Sequence, residues 1–225
     1  MSCSTSPKRT LRRSAIGVLV AGVVGAFPVG AESVVRQQVV VEVESAGATV
    51  ATLRLIEVAG GEESVLVGPV VARVGRSGVK GNRREGDGTT PIGSFGIDGA
   101  FGVPTSPRVA LPYRRVRNSD CWISDVADRF YNRLTARRRC LSPNEDLSRI
   151  ASAGPYEYAL TTDYNTSPIV VGKGSAIFIH VHAYDRAGRT KPTSGCVSVS
   201  RAAMKRLFAL LDPAKSPTLV VRVKE

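Results

Sequence analysis

Gly174-Ser-Ala-Ile-Phe-Ile-His-Val-His182, then Thr193-Ser-Gly-Cys-Val-Ser-Val-Ser200, then Arg201-Ala-Ala-Met-Lys-Arg-Leu-Phe-Ala-Leu-Leu211 is the stretch on which the fold turns. Residues 175–181 form a short apolar run of strand type. The Ser194-Gly195 pair allows a tight turn before Cys196. Residues 200–211 change to helical spacing, with Ala203, Leu207, Leu210 and Leu211 on one face and Ser200 as N-cap. Pro213 stops that helix, and residues 218–223 supply a closing strand. A strand, a turn holding a cysteine, a helix and a strand therefore end the chain.

Outward from this segment, strands dominate. Residues 35–44 and 48–58 are rich in β-branched side chains with partial alternation. Gly60-Gly61 marks a turn, and residues 65–75 read as a third, Val-rich strand. Residues 75–88 carry five glycines and six charges in 14 positions, which predicts an exposed loop. Residues 89–97 return to a strand, with Pro91 near its start. Residues 114–150 form a long polar and aromatic excursion, of the sort that carries a binding surface or a lid, with a short helix expected within 144–153. Residues 156–171 read as one long strand. With no repeat and no internal linker, the expectation is a single, mainly β (α+β) domain with a mixed sandwich or barrel-like sheet and one late helix.

The first 31 of the 225 residues do not read as part of that domain. Lys8, Arg9, Arg12 and Arg13 precede an apolar run at 15–27, and Val29-Gly-Ala31 follows with small residues. This is the pattern of a secretory signal peptide. The apolar run falls short of the ~20 residues that a membrane span needs, although an uncleaved anchor is the alternative. Arg12-Arg13 also permits a twin-arginine export route. Loss of residues 1–31 removes four basic and no acidic residues, taking the net charge from +12 to +8. The expected location is secreted, in the periplasm or cell envelope, without a stable membrane span after signal removal. The positive charge suits anionic surroundings there or simply keeps the protein soluble. Export disfavours nucleic acid as a partner.

Export also governs the cysteines. Cys3 leaves with the signal, so Cys121, Cys140 and Cys196 remain, an odd number in an oxidising compartment. Cys121 and Cys140 bracket the polar excursion and are expected to pair, closing a loop of about 20 residues worth roughly 3 kcal/mol. That leaves Cys196 as the free thiol. A thiolate nucleophile needs a neighbouring base or positive field, and the chain's two histidines, His180 and His182, lie just upstream. The two-residue period of a strand puts both on one face. His180 ends an apolar run and has the rigid mounting of a general base; His182 could orient the pair, touch substrate or be solvated. The bland alternative for Cys196 is a small buried apolar residue. His180, His182 and Cys196 could also be three zinc ligands, but no Cys-x-x-Cys or His-Glu-x-x-His spacing supports a metal, and nothing calls for a cofactor.

Ile177-Phe-Ile-His180, Pro192-Thr-Ser-Gly-Cys-Val197 and Glu85-Gly-Asp-Gly-Thr-Thr-Pro-Ile-Gly-Ser-Phe95 resemble the YkuD-type L,D-transpeptidase catalytic domain over residues 65–223, within a domain of 37–225. Asp120-Cys-Trp and Tyr131-Asn-Arg resemble one branch of that family. The resemblance implies a mostly β fold with Cys196 as nucleophile and His180 as base. It implies attack on peptidoglycan stem peptides through a thioester. Gly195 and the Cys196 N–H are then oxyanion candidates, with Ser194 and His182 as further oxyanion or substrate candidates. This chain departs from the commonest family motif: Ser194 replaces a histidine, and Ser198 replaces an arginine or asparagine. His182 is a candidate to supply part of the first loss.

Three functions follow from these readings. The leading one is an exported L,D-transpeptidase that remodels or cross-links the cell wall. The second is hydrolysis at the same site, as an L,D-carboxypeptidase. The third is a non-catalytic wall-binding protein that uses Arg114–Arg117 and Arg137–Arg139 as a basic surface.

Overall fold

The computed structural model describes residues 1–2 and 35–225, so the expected signal segment and Cys3 lie outside the described residues. Residues 35–225 lie in one compact unit. Its strands are β1 (Arg36–Val43), β2 (Val50–Ala59), β3 (Glu62–Arg73), β4 (Val79–Lys80), β5 (Thr90–Pro91), β6 (Gly93–Gly102), β7 (Tyr113–Arg115), β8 (Asp120–Trp122), β9 (Leu134–Ala136) and β10 (Glu145–Asp146). Helix α1 (Leu147–Ser152), β11 (Tyr158–Thr162), β12 (Phe178–Val181), β13 (Val197–Val199), α2 (Arg201–Leu210) and β14 (Thr218–Val223) complete it.

The large sheet runs β11-β12-β13-β3-β2-β1-β14-β6-β7, and a further β11–β6 pairing closes it on itself. Closure removes the open edges that such a sheet would otherwise expose. Alternation builds the interior. Val39, Val41 and Val43, Leu53 and Leu55, Ile179 and Val181, Val197 and Val199, and Leu219 and Val221 all point into one buried core. Each such side chain contributes roughly 1.5–3 kcal/mol by leaving water.

Helix α2 packs on this core. Ser200 caps it by accepting from the Ala203 N–H, as the sequence predicts. Its buried face is Ala203, Met204, Leu207 and Phe208; Leu210, expected on that face, is exposed. The expected long strand at 156–171 ends at Thr162 because Asp163 to Thr166 turn, with Asn165 at φ 54°. The strand expected at 175–181 begins only at Phe178, because Ala176 has φ 51°.

The excursion forms a small sheet in the order β10-β8-β9. The Cys121–Cys140 disulfide fastens it, with Cα atoms 5.6 Å apart. Asp120 is buried under it and accepts from Arg114 Nη2 at 2.6 Å and Nε at 3.0 Å. A second, smaller core lies here: Phe101, Leu147, Ala151, Tyr156, Ala159, Ala176, Phe178 and Cys196. Thus β12 has two buried faces, one towards the main core and one towards the excursion.

Candidate active site

Parallel pairing of β12 with β13 sets the site. Ile179 pairs with Val197 and His180 with Ser198. Cys196, one residue before β13, therefore lies abreast of Phe178, and the Phe178 N–H points at Cys196 Sγ across 3.3 Å. Period two puts Cys196, Ser198, Phe178 and His180 on the excursion side, while their neighbours Ile179, Val181, Val197 and Val199 fill the main core. His180 and Cys196 are diagonal neighbours on adjacent strands, a relation that brings long side chains within reach of each other.

The thiol hydrogen is committed elsewhere in this state. Cys196 Sγ donates to Ala176 O at 3.0 Å, and no hydrogen bond joins it to His180 among the described residues. His180 Nδ1 lies 2.7 Å from Val181 O. That contact fixes the Nδ1–H tautomer and leaves Nε2 as the basic nitrogen. Burial lowers the His180 pKa to about 4, only partly offset by the Val181 carbonyl. Burial, with the nearby Glu145 charge, pushes the Cys196 thiol up to about 12. The resting site therefore holds a neutral thiol and a neutral imidazole.

Cys196 opens onto two cavities. The larger, ≈ 690 Å³, is walled by Arg83, Glu85, Ser124, Glu145, Ser194 and Gly195, among others. The smaller, ≈ 230 Å³, is walled by His180, Tyr156, Lys191, Thr193, Ser194 and Glu145. Cys196, Ser194 and Glu145 border both. His182 borders neither: its Nδ1 meets Ser198 Oγ at 2.9 Å, and burial, then the Arg73 charge, lowers its pKa to about 4. It is thus placed on Ser198, the position where the family motif has arginine or asparagine, and not on Ser194. The Gly195 N–H already donates to Thr193 Oγ1 at 3.1 Å, which leaves the Cys196 N–H as the available one of the two expected oxyanion donors.

The other motifs hold the thiol loop. Thr90 Oγ1 and Thr193 Oγ1 both donate to Cys196 O, at 3.2 and 2.6 Å. Asp87 braces the preceding turn by accepting from Arg84 N, Thr89 N and Thr89 Oγ1. Burial opposes its charge, but these hydrogen bonds outweigh that and lower its pKa. Asn132 Oδ1 accepts from Ala176 N and Trp122 Nε1, both at 3.0 Å, while its Nδ2 donates to Tyr164 O and Asn165 O. Tyr131 Oη donates to Glu85 and accepts from Gly174 N. Together they shape the 174–176 loop, whose Ala176 carbonyl receives the thiol.

Two features lie beyond the sequence reading. Glu145 and Tyr156 are hydrogen-bonded to each other, and the Tyr156 hydroxyl lies beside the sulfur. Burial raises the Glu145 pKa to about 7, partly opposed by the Tyr156 hydrogen bond and assisted by the Glu85 charge. Arg83, in the charge-rich loop expected to be exposed, is instead buried at 3% exposure. No spacing signal joins these residues to Cys196, since each contact spans a long stretch of chain.

Among the described residues no cluster of three His, Cys, Asp or Glu is arranged to hold a metal, and no helix is long and apolar enough to cross a membrane. A family model for the L,D-transpeptidase catalytic domain, YkuD, matches residues 38–222, beginning within β1. No curated protein matches the chain.

Proposed function

The chain belongs to the YkuD family of L,D-transpeptidase catalytic domains, and from that membership we propose that it is an exported cysteine acyltransferase acting on peptidoglycan stem peptides. Cys196 is the nucleophile and His180 the base. The observation that carries this reading is a free thiol and a histidine on one face of adjacent parallel strands, both bordering one cavity.

In the first half-reaction the thiol leaves the Ala176 carbonyl and its proton passes to His180 Nε2. Sulfur bonds to the carbonyl carbon of the L-centre residue. The carbon–nitrogen bond to the D-centre residue then breaks, and the imidazolium returns the proton to the departing amine. The product is a thioester on Cys196 and a free D-amino acid. The resting pair is neutral, so the thiol proton is still on sulfur when the cycle begins. The Cys196 N–H is the backbone donor offered to the developing oxyanion.

In the second half-reaction an acceptor amine attacks the thioester, gives its proton to His180 and displaces the sulfur, which takes that proton back. Water in place of the amine gives hydrolysis. The basic, apolar and small-residue pattern at 8–31 supports delivery to the envelope, and the excess positive charge suits an anionic wall.

Incubation with purified muropeptides tests transfer against hydrolysis. Transfer yields cross-linked dimers that disappear in Cys196→Ala. Trimmed monomers alone would assign the chain to hydrolysis, and sacculus binding with no product would favour the wall-binding alternative.

A further inference from the structure

Arg83 is a charge without adequate partners. Its side chain is 2% exposed, and both Nε and Nη1 are buried with no hydrogen-bond acceptor. The one ion pair it makes among the described residues is long, 3.8 Å from Nε to Asp87 Oδ1, and that carboxylate already accepts three shorter hydrogen bonds. The Tyr164 ring lies 6.0 Å from the guanidinium, at the edge of cation–π range. A buried guanidinium left this way costs stability and calls for a reason.

The fold holds it there by omission of side chains. A Cβ at Gly174 would come within 2.9 Å of the guanidinium, and one at Gly195 within 3.0 Å. Gly195 precedes the nucleophile, and the Gly174 loop leads to the carbonyl that receives the thiol. Arg83 also borders the larger cavity together with Cys196, Ser194 and Gly195. An arginine matches a carboxylate with two parallel hydrogen bonds.

We propose that Arg83 recognises a carboxylate of the donor stem peptide in the larger cavity. This rests on the acyltransferase reading of Cys196. A small swing of the guanidinium into the cavity pairs it with the carboxylate. Two sources carry that group: the α-carboxylate of the departing D-residue, and a side-chain carboxylate on the residue whose carbonyl is attacked. In either case the cation orients the scissile carbonyl towards sulfur.

The experiment uses three synthetic donor peptides: the free acid, its C-terminal amide, and the form with the side-chain carboxylate amidated. Binding is measured calorimetrically to the Cys196→Ala protein and to Cys196→Ala with Arg83→Gln or Arg83→Lys; acylation is followed by intact mass with Cys196 present. The free acid is expected to bind about tenfold or more tightly than one of the amides. Arg83→Gln erases that preference by weakening only the peptides that keep the recognised carboxylate, and Arg83→Lys restores part of it. The amide that binds weakly identifies the source. Equal binding of all three peptides, or an equal loss for all three in Arg83→Gln, overturns the proposal. A carboxylate preference without any acylation of Cys196 would leave it standing and remove the acyltransferase reading instead.

Discussion

Cys196 rests with its thiol on Ala176 O and its own carbonyl pinned by Thr90 and Thr193. The positions around it therefore act by placing one loop against another. Asn132 is the clearest case, because one buried amide serves four backbone and side-chain partners. Replacement of Asn132 with Ala should cost about 2–4 kcal/mol from the groups it leaves unpaired. It should also slow Cys196 acylation, because Ala176 loses its anchor. Urea titration and mass-detected acylation check both halves; unchanged acylation would dissociate Asn132 from the site. Glu145 makes a different prediction. With its pKa raised to about 7 by burial, it is neutral below that pH and places a negative charge beside the thiol above it. Acylation should fall as pH rises through about 7, and Glu145→Gln should remove that limb. Superimposable pH–rate profiles would contradict the assignment. Cys196 as the free thiol and the Cys121–Cys140 pair are legible in the sequence because count singles them out; type and count leave His180 and His182 together, and only the apolar run before His180 and the family resemblance separate them. Arg83 and Glu145 are not, since neither a charge in a glycine-rich loop nor one in the polar excursion carries a local sign of burial.

At the scale of elements, the late helix and the strands on either side of it follow local rules closely. Ser200 caps α2, and β14 spans residues 218–223, the closing strand that the sequence predicts. Boundaries fail where turn chemistry competes with apolar content. Ile169-Val-Val171 looks like strand, yet the polar Asp163-Tyr-Asn-Thr-Ser-Pro168 stretch before it has already turned the chain, and Val171 is exposed. The excursion reads as a polar lid, and its actual order as a small sheet depends on long-range pairing of β8 with β9 and β10 that no short window displays. Arg114 and Arg137 in it are paired with Asp120 and Asp128, which reduces the basic surface available for wall binding. The disulfide links residues 19 apart. The double change Cys121→Ser with Cys140→Ser should lower stability by about 3 kcal/mol. Chemical denaturation of the two proteins side by side measures this, and equal midpoints would show that the small sheet holds without its bond.

At the scale of the molecule, the site is a seam between a closed, apolar barrel and a polar lobe laid over two of its strands. Burying titratable groups in that seam makes folding depend on pH. His180 and His182 are both neutral in the fold, with pKa values lowered from 6.5 to about 4. Between those values the unfolded chain binds more protons, so stability falls as pH drops from about 6.5 towards 4. His180 alone accounts for about 3 kcal/mol at most. Glu145 acts in the opposite sense between about 4.5 and 7, since the folded state keeps its proton there. Two histidines against one carboxyl leave a net loss on acidification, and a urea midpoint that rose from pH 6.5 to 4 would contradict the burial of the pair. The central claim is narrower: Cys196 forms the acyl-enzyme. Intact mass after exposure to a carbapenem or a stem tetrapeptide tests it most directly. One covalent acyl adduct on the unaltered chain and none on Cys196→Ala is the predicted result; an adduct that persists on Cys196→Ala would contradict it.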